Sequence, residues 1–364
     1  MAELAALRLA RSRNVGPRTF ARLMARFGDA EAALDALPEI AAGAGLKGVE
    51  AFPEADALRE IEAGARVGAR FLIVGNAGYP AALAEIPDPP PVLWALGDPA
   101  LAARPCVAVV GARNASASGR RMAGMLARGL GAQDFAVVSG LARGIDAAAH
   151  EAALETGTVA VLASGVDVIY PPEHDALAAR IAEAGLILSE AAMGEAPTAR
   201  AFPRRNRIVS GLSAGVVLVE AAERSGSLIT ARMALEQGRE AMAVPGSPLD
   251  PRAAGCNALI REGAALIRST EDVVEALGAP ASRAPAARSA AAPARPVPAP
   301  AAAPAASGSA LLDLLGSAPV AFDALAEASG LGARELSAAL LDLELEGTVT
   351  RLPGDLFARA PSPR

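Results

Sequence analysis

The chain has 364 residues and carries 34 Lys plus Arg against 40 Asp plus Glu, a formal net charge of −6 at pH 7. That balance excludes a protein that coats nucleic acid over its whole surface, so any anion site must be local. The two cysteines, Cys106 and Cys256, stand in no metal-ligand spacing, which excludes a disulfide scaffold and a Cys-based metal site.

Hydrophobic residues make up 52% of the chain and aromatics only 3%, so Ala, Leu and Val must fill the core. Lys47 is the sole lysine, and the remaining cations are arginines. No apolar run is long enough to span a bilayer. Glu3, Arg8, Arg11 and Arg13 interrupt the first apolar pattern, against a signal peptide. The expectation is a cytoplasmic protein without membrane, metal or cofactor, with room for two or three domains.

Residues 1–68 read as a helical domain. Apolar residues recur at helical spacing through Leu4, Leu7 and Leu9, and again through Phe20, Leu23 and Phe27. Between them, Gly16 can take a turn and Pro17 suits the first position of the next helix. Two short helices about such a turn resemble a helix-hairpin-helix (SAM-like) unit, whose amides meet a nucleic-acid backbone. From Arg8 to Arg26 there are six arginines and no acid. A helical packing domain with a solvated basic face is the alternative.

Residues 69–278 alternate strand and helix patterns. Phe71–Val74, Val92–Leu96, Val107–Val110, Ala136–Ser139, Val159–Ala163, Leu186–Ser189, Val216–Glu220, Ala241–Val244 and Ala265–Ile267 are the predicted strands. Trp94, in the second, reads as core. Apolar runs with little alternation suit strands buried on both faces. Helical crossovers imply an α/β fold with a doubly wound parallel sheet and a ligand beyond the carboxyl ends of its strands.

The third of these strands leads into VAVVGARNASASGRR, residues 107–121. Strand, tight turn and helix N-terminus is the layout by which α/β proteins hold phosphate. Gly111 permits the turn and Arg113 adds a planar cation. The dinucleotide pattern GxGxxG is absent. After the next strand, Ser139, Gly140, Arg143 and Gly144 form a second loop. Asp146 fits the start of the following helix as a cap, with His150 one turn on. An Asp–His general base and a structural hydrogen bond both explain that pair. Tyr170-Pro171-Pro172-Glu173-His174 reads as a structural helix entry.

Phe202-Pro203-Arg204-Arg205-Asn206-Arg207 follows Arg200, and no acid occurs between Ala196 and Val219. Phe202 can stack on a base and the arginines can hold phosphates, or Phe202 packs inward at a helix start. The stretch from Pro99 to Gln133 is likewise acid-free, with Arg104, Arg113, Arg120, Arg121 and Arg128. If these segments converge at one sheet rim, they make a basic pocket on an acidic protein. Ser225, Gly226 and Ser227 open a further helix whose amides and hydroxyls can meet an anion.

Residues 279–308 form an Ala/Pro-rich linker with too few large apolar side chains to fold. Residues 309–364 show three helix patterns and two short strands joined by Pro353-Gly354-Asp355, which resemble a winged helix. Residues 309–360 hold eight acids (Asp313, Asp323, Glu327, Glu335, Asp342, Glu344, Glu346, Asp355) against three arginines (Arg334, Arg351, Arg359). That charge favours a protein-interaction or structural role over entry into a DNA groove.

VGAR at 110–113, SGLARGID at 139–146 with His150, FPRRNR at 202–207, SGSLIT at 225–230, PG at 245–246 and GCN at 255–257 together resemble the DNA-processing protein A (DprA/Smf) family. The resemblance covers residues 70–277 closely and the flanking domains more loosely. It implies an extended Rossmann-type core that dimerises and binds single-stranded DNA. It further implies protection of incoming strands and loading of the RecA recombinase during natural transformation, with no catalytic activity. By the matching motifs, DNA contact falls to Gly111, Arg113, Arg143, Phe202, Arg204, Arg205 and Arg207, with Gly144 and Asn206 beside them. Family members often carry a lysine just upstream of the FPxRNR segment, where this chain has Arg200. The alternatives are a nucleotide or phosphoribosyl hydrolase, which needs an acid or base beside the glycine-rich loops, and a protein-interaction scaffold.

Overall fold

The computed structural model describes residues 2–43, 50–278, 311–312, 314–315, 320–329, 331–345, 348–352 and 356–359. The Ala/Pro-rich stretch 279–308 and the turn at Pro353-Gly354-Asp355 lie outside the described residues. Contacts divide the chain into two units, residues 1–34 with 51–285, and residues 35–50 with 286–364.

The first unit is built on one nine-stranded sheet. Its strands are β1 (Arg70–Ile73), β2 (Val92–Gly97), β3 (Cys106–Gly111), β4 (Ala136–Ser139), β5 (Thr158–Val161), β6 (Leu186–Ser189), β7 (Gly215–Val219), β8 (Glu240–Ala243) and β9 (Ala265–Leu266). Their order across the sheet is β1-β2-β6-β5-β4-β3-β7-β8-β9. The run from β6 to β9 is parallel throughout. Chain order reverses between β3 and β7, so the crevice beyond their carboxyl ends is the switch point where such sheets bind ligands.

Each predicted strand is present, with ends shifted by one or two residues. The sheet is not parallel throughout, however. β2 pairs β6 antiparallel and β1 pairs β2 antiparallel. Residues 74–91 hold only one helix, the four-residue α5 (Ala81–Ala84). That is too little helix for a packed crossover, and antiparallel neighbours need none.

Both sheet faces are covered, which is why these strands read as unbroken apolar runs. On one face Val107, Val109, Val217 and Val219 pack against α6 (Ala117–Ala132), α7 (Ile145–Ala153) and α12 (Thr270–Ala276). On the other, Ala108, Val110, Val216 and Leu218 pack against α9 (Ala201–Leu212), α10 (Gly226–Glu236) and α11 (Ala254–Arg261). Trp94 is buried beside α8 (Asp175–Ala184), as core.

Helices α1 (Ala2–Arg11), α2 (Pro17–Phe27), α3 (Ala30–Gly43) and α4 (Glu54–Arg66) precede the sheet. Gly16 is the N-cap of α2 and Pro17 its first residue. The basic stretch there is partly spent on structure. Arg11 pairs with Glu60 at 2.7 Å and donates to the Glu190 carbonyl, and Glu60 accepts the Trp94 indole N–H at 2.8 Å. Arg8 pairs with Glu54. Arg13, Arg18, Arg22 and Arg26 are exposed, with no acidic partner among the described residues.

In the second unit, α13 (Phe322–Ser329) and α14 (Ala333–Leu345) join a sheet of β10 (Val320–Ala321), β11 (Val349–Leu352) and β12 (Leu356–Arg359) in the order β10-β12-β11. Leu325, Leu336, Leu340, Leu343, Val349 and Phe357 form its core. This is a winged helix, with the short β10 as a strand the sequence did not announce. Among the described residues, no helix is long and apolar enough to cross a membrane.

Candidate nucleic-acid interface

Two glycines lock the loops at the switch point. A Cβ on Gly111 would lie 1.8 Å from the Val219 carbonyl oxygen, so the two central strands approach only because that atom is missing. Gly144 has φ 79°, and its Cα faces the Ala112 carbonyl, which accepts the Ile145 N–H at 3.2 Å. The loops after β3 and β4 are thereby joined. Between them and the starts of α9 and α10 opens a cleft of about 530 Å³, lined among others by Arg113, Phe202, Asn206, Arg224, Ser225 and Ser227. Gly226 lines it as well.

The N-terminus of α6, which the sequence suggests as a phosphate cradle, is met by a carboxylate of the chain itself. Ser116 caps it, accepting the Gly119 N–H at 2.9 Å. The Glu220 carboxylate accepts the Ser116 N–H at 2.8 Å and also the Ser116 hydroxyl. The chain supplies its own anion from the end of β7, a carboxylate that holds the N-cap residue of α6 and lies at the positive end of the helix dipole.

The arginines of the motifs divide into outer and inner sets, of which Arg113, Arg143 and Arg205 line the cleft or the recess beside it. Arg113 is exposed, its guanidinium 5.2 Å from the centre of the Phe202 ring. Arg143 is also exposed and pairs with Glu173, which it holds below the usual carboxylate range. Arg113, Arg143 and Phe202 together line a small recess beside the cleft. Arg204 is exposed and 3.5 Å from Glu190, and Arg200 is exposed.

Arg205 and Arg207 are buried instead. Arg205 donates to the Gly140 carbonyl at 2.6 Å and to the Val161 carbonyl, tying α9 to β4 and β5. Burial lowers its pKa to about 10, which leaves it charged. Arg207 pairs with Glu190 and with Asp88 and donates to the Asp88 carbonyl at 2.7 Å. The Arg207 donors are committed to Glu190 and Asp88, whereas Arg205, held by its backbone acceptors, also lines the cleft.

Asp146 and His150 form no acid–base pair. The buried Asp146 carboxylate accepts the Gly140 and Ala142 N–H groups, so it caps the loop before α7 rather than the helix itself. Burial pushes its pKa up. His150 Nε2 accepts the Leu141 N–H at 3.3 Å, which leaves Nδ1 as the donor to Thr158 Oγ1 at 2.7 Å. Burial lowers its pKa to about 3, so the ring is neutral at physiological pH. Ser139 is likewise spent, its hydroxyl donating to the Val109 carbonyl.

Three further residues stand at the rim: Tyr170, which the sequence reads only as part of a structural helix entry, and Arg224 and Arg252, which belong to no motif of the sequence. Tyr170 contacts Phe202, ring centres 5.9 Å apart and tilted by 60°. Arg224 and Arg252 line the cleft, Arg252 paired with Asp250. Arg224 follows Glu223, so a search for acid-free segments passes it over.

Residues 70–278 match the family model of the DNA recombination-mediator protein A. The chain belongs to the DprA/Smf family. Residues 1–63 match the DprA-like N-terminal HHH domain, and residues 292–355 the DprA winged helix domain. Protein Smf of Synechocystis sp. is 36% identical over 318 residues, 80% of each chain. The X-ray structure of DNA processing protein A from Streptococcus pneumoniae superposes with a TM-score of 0.65 and 34% identity, over 76% of this chain and 98% of that one. DNA processing protein A from Helicobacter pylori, whose structure addresses a single-stranded DNA binding mode, gives a TM-score of 0.53 and 32% identity over 58% of this chain and 95% of that one. As a DprA/Smf protein the chain has a DNA-processing, recombination-mediator role.

Proposed function

We propose that the chain binds single-stranded DNA at the switch-point rim, with Arg113, Arg143 and Arg204 meeting phosphates. The observation that carries this reading is the solvent-facing Arg113 set on Phe202 above a cleft of about 530 Å³, in a molecule of net charge −6. An exposed cation fixed beside a ring face attracts phosphate locally, while the negative remainder repels it. Arg205, Arg207, Gly111, Gly140 and Gly144 shape the rim. Asn206, Ser225, Gly226 and Ser227 supply neutral donors and acceptors along it, with Arg200 at its approach.

From family likeness, the bound strand is protected and passed to the RecA recombinase during natural transformation, in the cytoplasm, by a homodimer. The domain limits are 1–68, 69–278, 279–308 and 309–364. The hydrolase reading finds no support: Glu220, the acid beside the glycine-rich loops, accepts from Ser116, and Asp146, the one acid lining the cleft among the described residues, is engaged with backbone amides. The test compares single- and double-stranded oligonucleotides of one length and then follows recombinase filament growth on the bound strand. Tight single-strand binding lost in Arg113→Ala is expected. Equal affinity for both forms, or no effect of Arg113→Ala, would contradict the site.

A further inference from the structure

The acid-free stretch from Pro99 to Gln133 holds more cation than the rim uses, since only Arg113 of its arginines lies there. Arg120, Arg121 and Arg128 stand on α6 and are exposed. They line a groove of about 370 Å³ between α6 and α7, whose other wall is Ala148, Glu151 and Ala152. Arg120 turns back to the rim loop and donates to the Ala115 carbonyl at 2.6 Å. Arg121, Arg128 and Glu151, the one acid of the groove, make no hydrogen bond or ion pair among the described residues.

Position makes this groove a continuation of the rim. α6 follows β3 and α7 follows β4, which are parallel neighbours, so both helices start at the carboxyl ends of their strands and run away from them side by side. The loops ahead of them hold Arg113 and Arg143. A strand leaving the rim on this side meets Arg120 and Arg121 first and Arg128 two turns on. Arg121 and Arg128 share one face of α6 about 10 Å apart along its axis, too far for one phosphate to bridge and suited to two.

The floor of the groove is low where packing does not ask for it. A Cβ on Gly129 or Gly131 of α6 would collide with Thr270 or Thr156, whereas on Gly124 it would meet nothing closer than the Arg128 guanidinium at 3.6 Å. Glycine weakens a helix interior, and at Gly124 it leaves space under the arginines instead of relieving a clash.

We propose that the α6–α7 groove takes the phosphate backbone of the strand beyond the rim, through Arg120, Arg121 and Arg128, and so lengthens the DNA site without touching bases. Planar cations free of carboxylate partners suit phosphate, which each can take through two hydrogen bonds. The proposal rests on the single-strand reading given above.

The experiment measures the affinity of the full chain, and its salt dependence, for thymidine oligomers of about 6 and about 18 nucleotides. Wild type, the double variant Arg121→Ala with Arg128→Ala, the double variant Arg121→Lys with Arg128→Lys, and Arg113→Ala are compared. Wild type is expected to bind the long oligomer more tightly and with the steeper slope of log affinity against log salt. The alanine pair is expected to lower that slope by about 1.4, two phosphate contacts on a single strand, and to leave the short oligomer at wild-type affinity, while the lysine pair keeps the slope. Arg113→Ala is expected to weaken both lengths. Unchanged long-oligomer binding by the alanine pair, the result a groove for an acidic protein segment would give, overturns the proposal, as does an equal loss on both lengths; either leaves the rim site standing. No binding of either oligomer by wild type overturns the single-strand reading itself.

Discussion

Arg113 and Arg205 lie near the same loops, yet chemistry gives them opposite tasks. Arg113 faces solvent over a ring, whereas Arg205 fills backbone acceptors of two strands. Arg205→Ala is expected to cost about 3 kcal/mol of stability, since it leaves the buried Gly140 and Val161 carbonyls without their donor. Urea unfolding of the variant checks this, and an unshifted midpoint would contradict it. Arg143 is restrained by Glu173. Glu173→Gln should therefore tighten single-strand binding and steepen its salt dependence, and weaker binding would show that Glu173 serves the ligand.

His150 gives a pH signature. Its folded pKa is lowered to about 3, while the unfolded ring titrates near its ordinary value of 6.5. The unfolded state then binds the extra proton, so this contribution to stability is full above about pH 6.5 and is lost as pH falls toward 3. Between pH 6 and 5, stability of the wild type should fall more steeply than that of His150→Gln, by up to about 1.4 kcal/mol per pH unit. Parallel slopes would mean that the ring is not held neutral. At this scale the sequence discloses which residues matter and not which way they face. The acid-free run around Arg204 is real, but Glu190 reaches Arg204 from just beyond β6, as Glu173 reaches Arg143 from the turn before α8, which no local window can show.

Elements were more legible than residues. Strands buried on both faces carry a plain signal, unbroken apolar runs such as Val107–Val110 and Val216–Val219, and the helices between them dictate parallel neighbours. Strand direction at the sheet edge has no such signal, so the antiparallel β1 and β2 come only from the structure. The α6 N-terminus was legible as an anion site, but its occupant, Glu220 from the end of β7, comes from 104 residues away. Glu220→Gln keeps the shape and removes the charge from the α6 amides and dipole. It should cost about 1 kcal/mol in unfolding by urea, and no change would remove Glu220 from that role.

On the scale of the molecule, the molecular account is one of charge placement. A chain of net charge −6 repels nucleic acid on average, and its attraction must come from a few outward arginines at one rim. Two of those, Arg113 and Arg143, converge from separate loops because Gly111 and Gly144 let the β3 and β4 ends close together. Both glycines were visible in the sequence, but the aromatic pair they bring near, Phe202 with Tyr170, joined segments too distant for any motif to couple.

The central claim is that a small, local set of outward arginines binds the strand. The most direct measurement is the slope of log affinity against log salt for a single-stranded oligonucleotide, in wild type and Arg113→Ala. A shallow slope, reduced by about 1 in the variant with no loss of thermal stability, is the outcome the account expects. An identical slope in both proteins, or a steep slope shared by duplex and single strand, would contradict it.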